Sequence, residues 1–436
     1  MGVRFDDLDR LSRQYSILKE DDRSPPERDC DRILYSSAFR RLSGVTQVVR
    51  AGEADVFHTR QQHTLKVAQI GKRISQRLKK ISAEPYVYLG IDENVVEAAC
   101  LAHDLGHPPF GHIGEKVLDA FAIDSGNDGY EGNAQSFRIV NKLAVRLSNK
   151  PGLDLTRATL SALIKYPWLR NMQDPDKKQK WNAYKCDEKD FDFATSLYGK
   201  VKTIEAEIMD WADDLAYSVH DLEDLHRCRI VPWKSLLEGG LSGRLVSEAL
   251  KRWHGAPTGA EGRLREAQRS LAEFLLGSFG GFLSEPYDAS REQRAELRRM
   301  TSALIGQYVR AFSLKPIGEP QTDRQCFNID RNHVDQVRIL KQINYECMIN
   351  SPSLVAQQYG QQEIIKSLCD KIYNSSDVSY PRFLPTRLRY LWDLSEGDKS
   401  RFTTDCVSAL TEQEAVGLNA RLCGLASGSV LDPIVR

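Results

Sequence analysis

Three histidines and one aspartate lie close together in the segment LAHDLGHPPFGH, residues 101–112. The whole 436-residue chain contains only nine histidines, so this segment holds a third of them. Neutral imidazole and carboxylate groups are the ordinary ligands of a catalytic divalent metal ion. His103 and Asp104 are adjacent at the end of a predicted helix and project about 100° apart, so both can reach one ion. The segment therefore predicts a metal site.

The residues that follow His103 and Asp104 strengthen this interpretation. A His-Asp pair alone is weak, because such pairs are common by chance. Here His107 and His112 follow, together with glycines and prolines that end the helix and fold the chain back over its terminus. Those glycines and prolines are Gly106, Pro108, Pro109 and Gly111.

A metal site needs more than two protein ligands, and two other predicted helices offer candidates. His63 lies on the preceding helix, in HTRQQHTLKVAQ, and Asp213 lies on a later helix with an apolar face and an opposite acidic face. The acidic face consists of Asp210, Asp213, Tyr217, Asp221 and Asp224. Carboxylates around one tyrosine are costly to bury without cations. The alternative interpretation is an acidic face that simply contacts water.

Helical periodicity dominates the rest of the chain, and few segments alternate as strands do. The predicted helices cover residues 57–78, 94–105, 133–147, 203–225 and 361–375. Irregular structure is predicted where Gly, Pro or Asp recur, at residues 170–193, 255–263 and 276–286. We therefore predict a mainly α fold. Its catalytic core would cover residues 1–230, continuous with a helical C-terminal region at 231–436 that contributes to substrate binding and oligomer contacts.

The composition excludes several classes of protein. Sixty basic residues balance sixty acidic ones, so any anion-binding site must be built locally. No apolar run approaches the roughly 20 residues that span a bilayer, and residues 1–15 contain no apolar signal segment. Nine cysteines without a CxxC pair are typical of reduced thiols. We expect a cytoplasmic protein without a membrane partner.

A series of segments resembles the HD superfamily of metal-dependent phosphohydrolases, and within it the deoxyguanosine triphosphate triphosphohydrolase-like branch. In chain order they are RDCDRILYSSAFRRLSGVTQV (28–48), FHTRQQHTLKVAQIG (57–71), AACLAHDLGHPPFGHIGE (98–115), YEGNAQSFRIV (130–140), LIKYPW (163–168), IMDWADDLAYSVHDLED (208–224) and LKQINYECMINSPSLVAQQYGQQEII (340–365). This series, in this order, is specific and runs through most of the chain. The resemblance implies an all-α, HD-domain helical phosphohydrolase fold with additional C-terminal helices.

The resemblance also implies an activity and a cofactor. Family enzymes hydrolyse dGTP or several dNTPs to the deoxynucleoside and inorganic triphosphate, with a divalent metal such as Mn²⁺, Mg²⁺ or another transition metal. The implied metal ligands are His63, His103, Asp104 and Asp213. By the same resemblance, His112 transfers a proton, Glu115 orients it, and His107 contacts the α-phosphate. The alternative for Glu115 is an acidic residue in the first turn of a helix.

Six further residues match positions that hold the substrate in this family: Gln47, Arg60, Tyr217, Asp221, Lys341 and Tyr345. Arg60 is the expected phosphate clamp, and Gln47 is expected to contact the sugar 3′ hydroxyl. Asp221 would accept a hydrogen bond from that hydroxyl or fix an arginine. A surface lysine and a core tyrosine are the alternatives for Lys341 and Tyr345. Glu131 is interpreted either as a neighbour of the metal ligands or as a helix cap.

The resemblance further implies partners. We expect a dNTP substrate and a dimer-based homo-oligomer such as a tetramer or hexamer, with a dNTP or single-stranded DNA as candidate effectors. Two alternative functions stay open. One is another HD-type nucleotide phosphohydrolase, a nucleotidase or phosphodiesterase, which needs the metal ligands but not the extended series of segments. The other is a non-catalytic nucleotide sensor or DNA-binding module, against which the intact ligands and His112 count.

Overall fold

The structure is a computed structural model that describes most of the chain. The described residues are 7–15, 21–46, 58–88, 90–237, 241–253, 255–315, 327–349, 352–376 and 379–426. They divide into two compact units. The first comprises Met1–Lys72, Gly90–Asp210 and Ala356–Arg436, and the second comprises Arg73–Leu89 and Trp211–Val355. The predicted boundary between domains near residue 230 stays a prediction.

Helices make up nearly all of the regular structure in the described ranges. In chain order they are α1 (Asp7–Leu11), α2 (Pro25–Leu34), α3 (Ser37–Arg41), α4 (Arg60–Ile81), α5 (Ala83–Tyr88), α6 (Glu93–Ala102), α7 (His112–Asp124), α8 (Gly132–Arg138), α9 (Arg157–Ala162), α10 (Pro175–Gln179), α11 (Glu188–Thr195), α12 (Ile204–Arg227), α13 (Trp233–Leu237), α14 (Leu241–Arg252), α15 (Ala260–Ser284), α16 (Arg291–Ala311), α17 (Arg331–Ile349), α18 (Pro352–Asn374), α19 (Thr386–Arg389), α20 (Leu391–Leu394), α21 (Lys399–Ser408) and α22 (Glu412–Leu422). The mainly α prediction is confirmed.

A few short elements complete the described structure. A π-helical turn at Ile139–Leu143 extends α8, and 3-10 turns lie at Leu42–Gly44 and Lys185–Asp187. Two strands, β1 (Phe312–Leu314) and β2 (Phe327–Ile329), pair in antiparallel fashion. None of the helices in the described ranges combines the length and apolar character that crossing a bilayer requires.

Most of the predicted helices are confirmed, and one predicted loop is wrong. Helices α4, α6, α8, α12 and α18 each overlap one of the five segments with helical periodicity, although α18 begins earlier, at Pro352, and α8 ends earlier, at Arg138. Residues 276–286 were expected to be irregular because of their glycines, but α15 continues to Ser284. Its buried residues Leu271, Leu275, Phe279 and Leu283 form one apolar stripe at helical spacing. That burial outweighs the low helix propensity of the glycines on the other face.

Local capping explains why several helices begin where they do. Ser24 accepts a hydrogen bond from the Glu27 backbone N–H, while the Glu27 side chain accepts one from the Ser24 backbone, so α2 begins with a capping box. Thr411 and Glu414 form the same arrangement at the start of α22. These reciprocal bonds satisfy backbone N–H groups that a helix leaves without intrahelical partners.

Buried ion pairs fix α21 within the first unit. The fully buried Arg138 guanidinium donates to Asp405 on α21 at 2.9 Å and to Asp187 at 2.8 Å. Gln135 also donates to Asp405, at 2.9 Å. Removing Arg138 would take the arginine partner away from two buried carboxylates. The last helices of the chain are therefore a structural part of the unit that contains the segment 101–112.

Candidate active site

The turn between α6 and α7 is fixed by close contact with α8. Ser136 Oγ donates to the His103 carbonyl at 2.7 Å and accepts from the Gly106 N–H at 2.9 Å. A Cβ atom at Gly106 would lie 2.2 Å from the Gly132 carbonyl oxygen, so only glycine fits there. Tyr130 donates its hydroxyl to the Gly106 carbonyl at 2.6 Å. The side chains of Ser136 and Tyr130 thus hold the backbone of the turn.

The second half of this turn has an unusual backbone. Phe110 has φ of 65° and Gly111 has φ of 55°, so two consecutive residues occupy the left-handed side of φ space. For a bulky aromatic residue this conformation is disfavoured and needs support from its surroundings. The turn ends at His112, the first residue of α7. The predicted end of the helix at the His-Asp pair is confirmed, because α6 ends at Ala102 and a turn follows.

Two buried histidines face each other in the first unit. The ring centroids of His63 and His103 lie 5.7 Å apart, and one nitrogen of each ring lies within 4.8 Å of the other. His103 Nδ1 donates to the Cys100 carbonyl oxygen at 2.7 Å. This bond leaves the lone pair of His103 on Nε2, because the proton of a neutral imidazole can occupy only one nitrogen. His103 therefore offers an imidazole nitrogen of the kind that a divalent transition metal prefers, and the His63 ring lies next to it.

Asp104 is buried beside His103, and nitrogen atoms of three side chains surround its carboxylate. Its Oδ2 accepts from Arg60 at 2.8 Å, and its Oδ1 lies 2.8 Å from His107 Nδ1 and 3.6 Å from His103 Nε2. Burial opposes ionisation, but the charges and hydrogen bonds of His107, Arg60 and His103 outweigh it, so the pKa of Asp104 lies well below its usual value. An ionised carboxylate next to two imidazoles is a donor set that fits a divalent metal.

A second group of titratable side chains consists of His107, His112 and Glu115, each of which offers an atom within 4.8 Å of the others. His112 Nδ1 lies 3.1 Å from Glu115 Oε2. The His112 side chain is 65% exposed, whereas that of Glu115 is 12% exposed. Burial opposes ionisation of Glu115, but His112 and Lys180 outweigh it and lower its pKa well below the usual value. Burial and the Arg60 charge lower the pKa of His107 to about 4.

Lys180 belongs to this group, and the sequence interpretation missed it. Its ammonium lies 3.2 Å from Glu115 and 2.7 Å from Glu131. Glu131 also caps α8 by accepting from the Asn133 and Ala134 N–H groups, so the helix-cap interpretation of Glu131 is confirmed. Lys180 follows several other lysines in a charged segment, and nothing in that run distinguishes it. The contact depends on the fold of residues 170–193, which was predicted only as irregular.

The acidic face of α12 is not exposed to solvent along its whole length. In the second unit Asp221 and Asp224 are each 1% exposed. Asp210, in the first unit, lies 2.5 Å from Lys165 and also contacts Lys202. Burial opposes ionisation of Asp210, yet these two lysines lower its pKa. The solvent-facing interpretation of this stripe is therefore wrong, because its charges are buried or are matched by cations.

The other predicted site residues of the second unit lie on α12 and α17. Asp213, Tyr217 and Asp221 follow one another at four-residue spacing along α12, so they share one helix face. On α17, Lys341 pairs with Asp214 at 2.5 Å. Tyr345 is 38% exposed, and the Arg252 guanidinium lies over its ring, 3.2 Å from the ring centroid. The roles of these five residues toward metal and substrate stay predictions, as does that of Gln47, which lies outside the described residues.

Two family models match the chain. The model of the HD domain matches residues 60–218, and that of the phosphohydrolase-associated domain matches residues 328–421. The first match contains all four predicted metal ligands and the His107, His112 and Glu115 group. The fold and the site therefore define the class of protein, which is an HD-type phosphohydrolase. HD domains are metal-dependent hydrolases.

Curated relatives narrow the class. A deoxyguanosinetriphosphate triphosphohydrolase-like protein of Streptomyces coelicolor is 34% identical, over 93% of this chain and 94% of that protein. Proteins with the same description from Bifidobacterium longum and Vibrio vulnificus are 33% and 32% identical and match 93% and 97% of this chain. They are matched over 84% and 98% of their own lengths. The chain belongs to the deoxyguanosinetriphosphate triphosphohydrolase-like family, so the predicted family is confirmed.

Proposed function

We propose that this protein hydrolyses deoxynucleoside triphosphates to the deoxynucleoside and inorganic triphosphate. The observation that carries the proposal is the placement of two unlike groups around the turn between α6 and α7 in the first unit. The buried side chains of His63, His103 and Asp104 offer metal ligands, and the group of His107, His112 and Glu115, in which His112 is exposed, offers proton transfer. The names of the relatives, which describe triphosphohydrolase-like proteins, support the same reaction.

The proposed metal site uses His63, His103 and Asp104, with Asp213 as the fourth ligand by resemblance to the family. A bound divalent metal would lower the pKa of a water molecule and polarise a phosphoryl oxygen. The Cys100 carbonyl orients His103, and Arg60 holds Asp104 ionised, so this chain supplies both the ligands and the groups that fix them. We propose Mn²⁺ or Mg²⁺, with another transition metal as the alternative.

The proposed reaction breaks the bond between the α-phosphorus and the 5′ oxygen. A water oxygen forms the new bond to phosphorus, and the 5′ oxygen leaves with a proton as the free hydroxyl of the nucleoside. His112 is placed to move that proton, because its ring is exposed to incoming substrate while Glu115 accepts from Nδ1. Lys180 keeps Glu115 ionised, and His107 lies between His112 and Asp104 to contact the α-phosphate.

One incubation tests reaction type and base preference together. The protein would be mixed with each of the four dNTPs in the presence of Mn²⁺ or Mg²⁺, and the products separated by chromatography. We expect a deoxynucleoside and intact triphosphate from at least one dNTP. Release of a nucleoside monophosphate or diphosphate would show a different HD-type phosphohydrolase. Binding of a dNTP without any product would favour a nucleotide sensor.

The resemblance also supports proposals about assembly and location. We propose a homo-oligomer built from dimers, with dNTPs or single-stranded DNA as effectors, in the cytoplasm. Light scattering at several protein concentrations, with and without each dNTP, measures the oligomer. The absence of any species larger than a monomer would contradict this part of the proposal.

A further inference from the structure

One carboxylate of the C-terminal helices touches two segments that lead into the proposed active site. Glu412, the first residue of α22, is 2% exposed. Its Oε1 accepts from the Thr46 backbone N–H at 2.9 Å and from the Phe110 backbone N–H at 3.3 Å, and its Oε2 accepts from the Thr46 hydroxyl at 2.7 Å. Three donors from two distant parts of the chain therefore converge on one side chain.

The first of these segments leads into α4. The Arg60 backbone N–H donates to the Val45 carbonyl at 3.0 Å, and Thr46 and Thr59 form an antiparallel bridge. Glu412 therefore holds a segment that is itself bonded to the first turn of α4. That helix carries Arg60 and the predicted metal ligand His63.

The second segment leads into α7. Phe110 stands in the left-handed region with φ of 65°, a conformation that a phenylalanine keeps only with outside support. The bond from its N–H to Glu412 supplies such support, and the next residues are Gly111 and His112. The position of the His112 ring relative to the rest of the site thus depends on a residue three hundred positions later in the chain.

The start of α22 is packed too closely to shift on its own. A Cβ atom at Gly44 would lie 2.8 Å from the Thr411 side chain, so helix and segment are in direct contact there. A carboxylate is suited to this position because it only accepts and has room for several donors. Hydrogen bonds to an ionised acceptor are also stronger than bonds between neutral groups.

We infer that Glu412 is a positioning residue: it sets the distance between the start of α4, with Arg60 and His63, and the start of α7, with His112. The effect of Glu412 on turnover rests on the proposed function, whereas its contacts with the two segments are observed in the structure. The inference also gives part of the phosphohydrolase-associated region a structural role, which is to hold the two active-site segments at a fixed distance from each other.

The test compares variants at two neighbouring glutamates of α22. Glu412→Ala removes all three bonds, and displacement of reacting groups by about 1 Å can cost about 10²-fold in rate, so we expect a kcat loss of that order. Glu412→Gln keeps an oxygen for both N–H groups and should lose much less. Glu414→Ala is the matched control, because Glu414 caps the same helix and pairs with Arg387 at 2.7 Å without touching either segment. It should lower Tm and leave kcat unchanged.

Rates are measured on metal-loaded protein well below the Tm of each variant, so that unfolding does not contribute. Amide hydrogen exchange supplies a readout that does not depend on activity. Exchange at Thr46 and Phe110 should quicken in Glu412→Ala and stay unchanged in Glu414→Ala. Unchanged exchange at both amides, or equal kcat losses in Glu412→Ala and Glu414→Ala, would overturn the inference.

A second pair of variants covers the case in which Glu412→Ala does not fold. Thr46→Val removes the hydroxyl that donates to Glu412, and Thr46→Ser retains it. A lower kcat in the valine variant than in the serine variant supports the inference, and equal values overturn it. If the wild-type protein releases triphosphate from no dNTP, the proposed function fails, and the exchange measurement still decides the role of Glu412.

Discussion

The two histidine groups of the first unit lie around the turn between α6 and α7 but differ in their access to solvent. The His103 side chain is 5% exposed and its Nδ1 is bonded to a backbone carbonyl, whereas the His112 side chain is 65% exposed and contacts a carboxylate. A buried imidazole with one nitrogen committed to the backbone keeps one tautomer and one orientation. An exposed imidazole beside a carboxylate can exchange its proton with substrate and solvent. The buried group therefore suits metal binding, and the exposed group suits proton transfer.

The two groups are joined through Asp104 and His107. His107 Nδ1 lies 2.8 Å from Asp104, and the His107 ring centroid lies 5.6 Å from that of His112. Burial and the Arg60 charge lower the pKa of His107 to about 4, and its contact with Asp104 links the two groups. The difference between the groups is thus set by burial over a few residues of one turn. Variants in each group should separate their roles.

The largest effect is expected in the buried group. His103→Ala and Asp104→Asn each remove one proposed ligand, so bound metal and turnover should both be lost while the helical circular dichroism signal stays. Metal content is measured by mass spectrometry after dialysis. His226→Asn is the matched control, because His226 is also a buried histidine, 4% exposed, but belongs to the second unit and is not among the predicted site residues. Full turnover by metal-stripped His103→Ala would falsify the assignment of this group.

The next largest effect is expected in the exposed group. His112→Ala should keep bound metal and dNTP affinity but lose about 10²–10⁴-fold in single-turnover rate, the usual reach of general acid–base catalysis. His333→Ala is the matched control, since His333 on α17 also pairs with an aspartate, Asp330, at 2.7 Å. It should turn over at the wild-type rate.

The competing interpretation gives His112 a structural role at the end of the turn. In that case His112→Ala would lose thermal stability and dNTP affinity together. Measurement of Tm, affinity and rate on one preparation separates the two interpretations. A wild-type single-turnover rate in His112→Ala would exclude proton transfer by this residue.

Sequence reasoning predicted most of what periodicity and short spacing can encode. The helix that carries His63, the turn after His103 and the helix that begins at His112 follow from local patterns, because the interacting residues are neighbours in the chain. The contacts of Lys180 with Glu115 and of Glu412 with Phe110 join residues 65 and 302 positions apart. No local pattern marks such pairs, since only the folded chain brings them together.

The same reasoning failed where burial overrides composition. The glycines of 276–286 predicted a loop, yet the apolar stripe of α15 runs through them. The alternating acidic residues of α12 are compatible with a solvent-facing surface, yet Asp221 and Asp224 are buried. In both cases the outcome depends on what packs against the helix, and a single sequence does not show that.

A smaller effect, on KM for the dNTP, is expected at Arg60. The Arg60 guanidinium donates to Asp104 at 2.8 Å and was predicted to clamp phosphate. Arg60→Ala should raise KM for the dNTP by about 10- to 10²-fold, because a hydrogen bond to a charged group contributes about 1.5–3 kcal/mol. Metal content should change less than KM, because Arg60 contacts the proposed ligand Asp104 but is not itself a proposed ligand. The phosphate role is contradicted if bound metal falls while KM stays at the wild-type value.

The smallest effect on turnover, and a distinct effect on stability, is expected at His226. The Nδ1 atom of this ring accepts a hydrogen bond from Trp233 Nε1 at 2.9 Å. The ring centroids of Phe282 and Tyr287 lie 4.8 Å and 5.6 Å from that of His226. Burial lowers the pKa of His226 from 6.5 to about 4. The unfolded chain therefore takes up a proton below pH 6.5 that the folded protein does not accept until about pH 4. Stability from this group is present above pH 6.5 and decreases as the pH falls toward 4.

Urea unfolding at about pH 7.5 and about pH 5 measures this effect. A depressed pKa of this size implies a loss of about 2 kcal/mol between those two conditions. His226→Asn keeps an acceptor for Trp233 but does not titrate, so its free energy of unfolding should vary less with pH than that of the wild type, by about the same 2 kcal/mol. His107 also has a pKa of about 4 and contributes equally to both proteins, so the difference between them isolates His226. Equal pH dependence in the two proteins would show that burial alone does not hold His226 neutral. The difference between buried and exposed histidines would then also depend on the side chains and backbone groups that contact each ring.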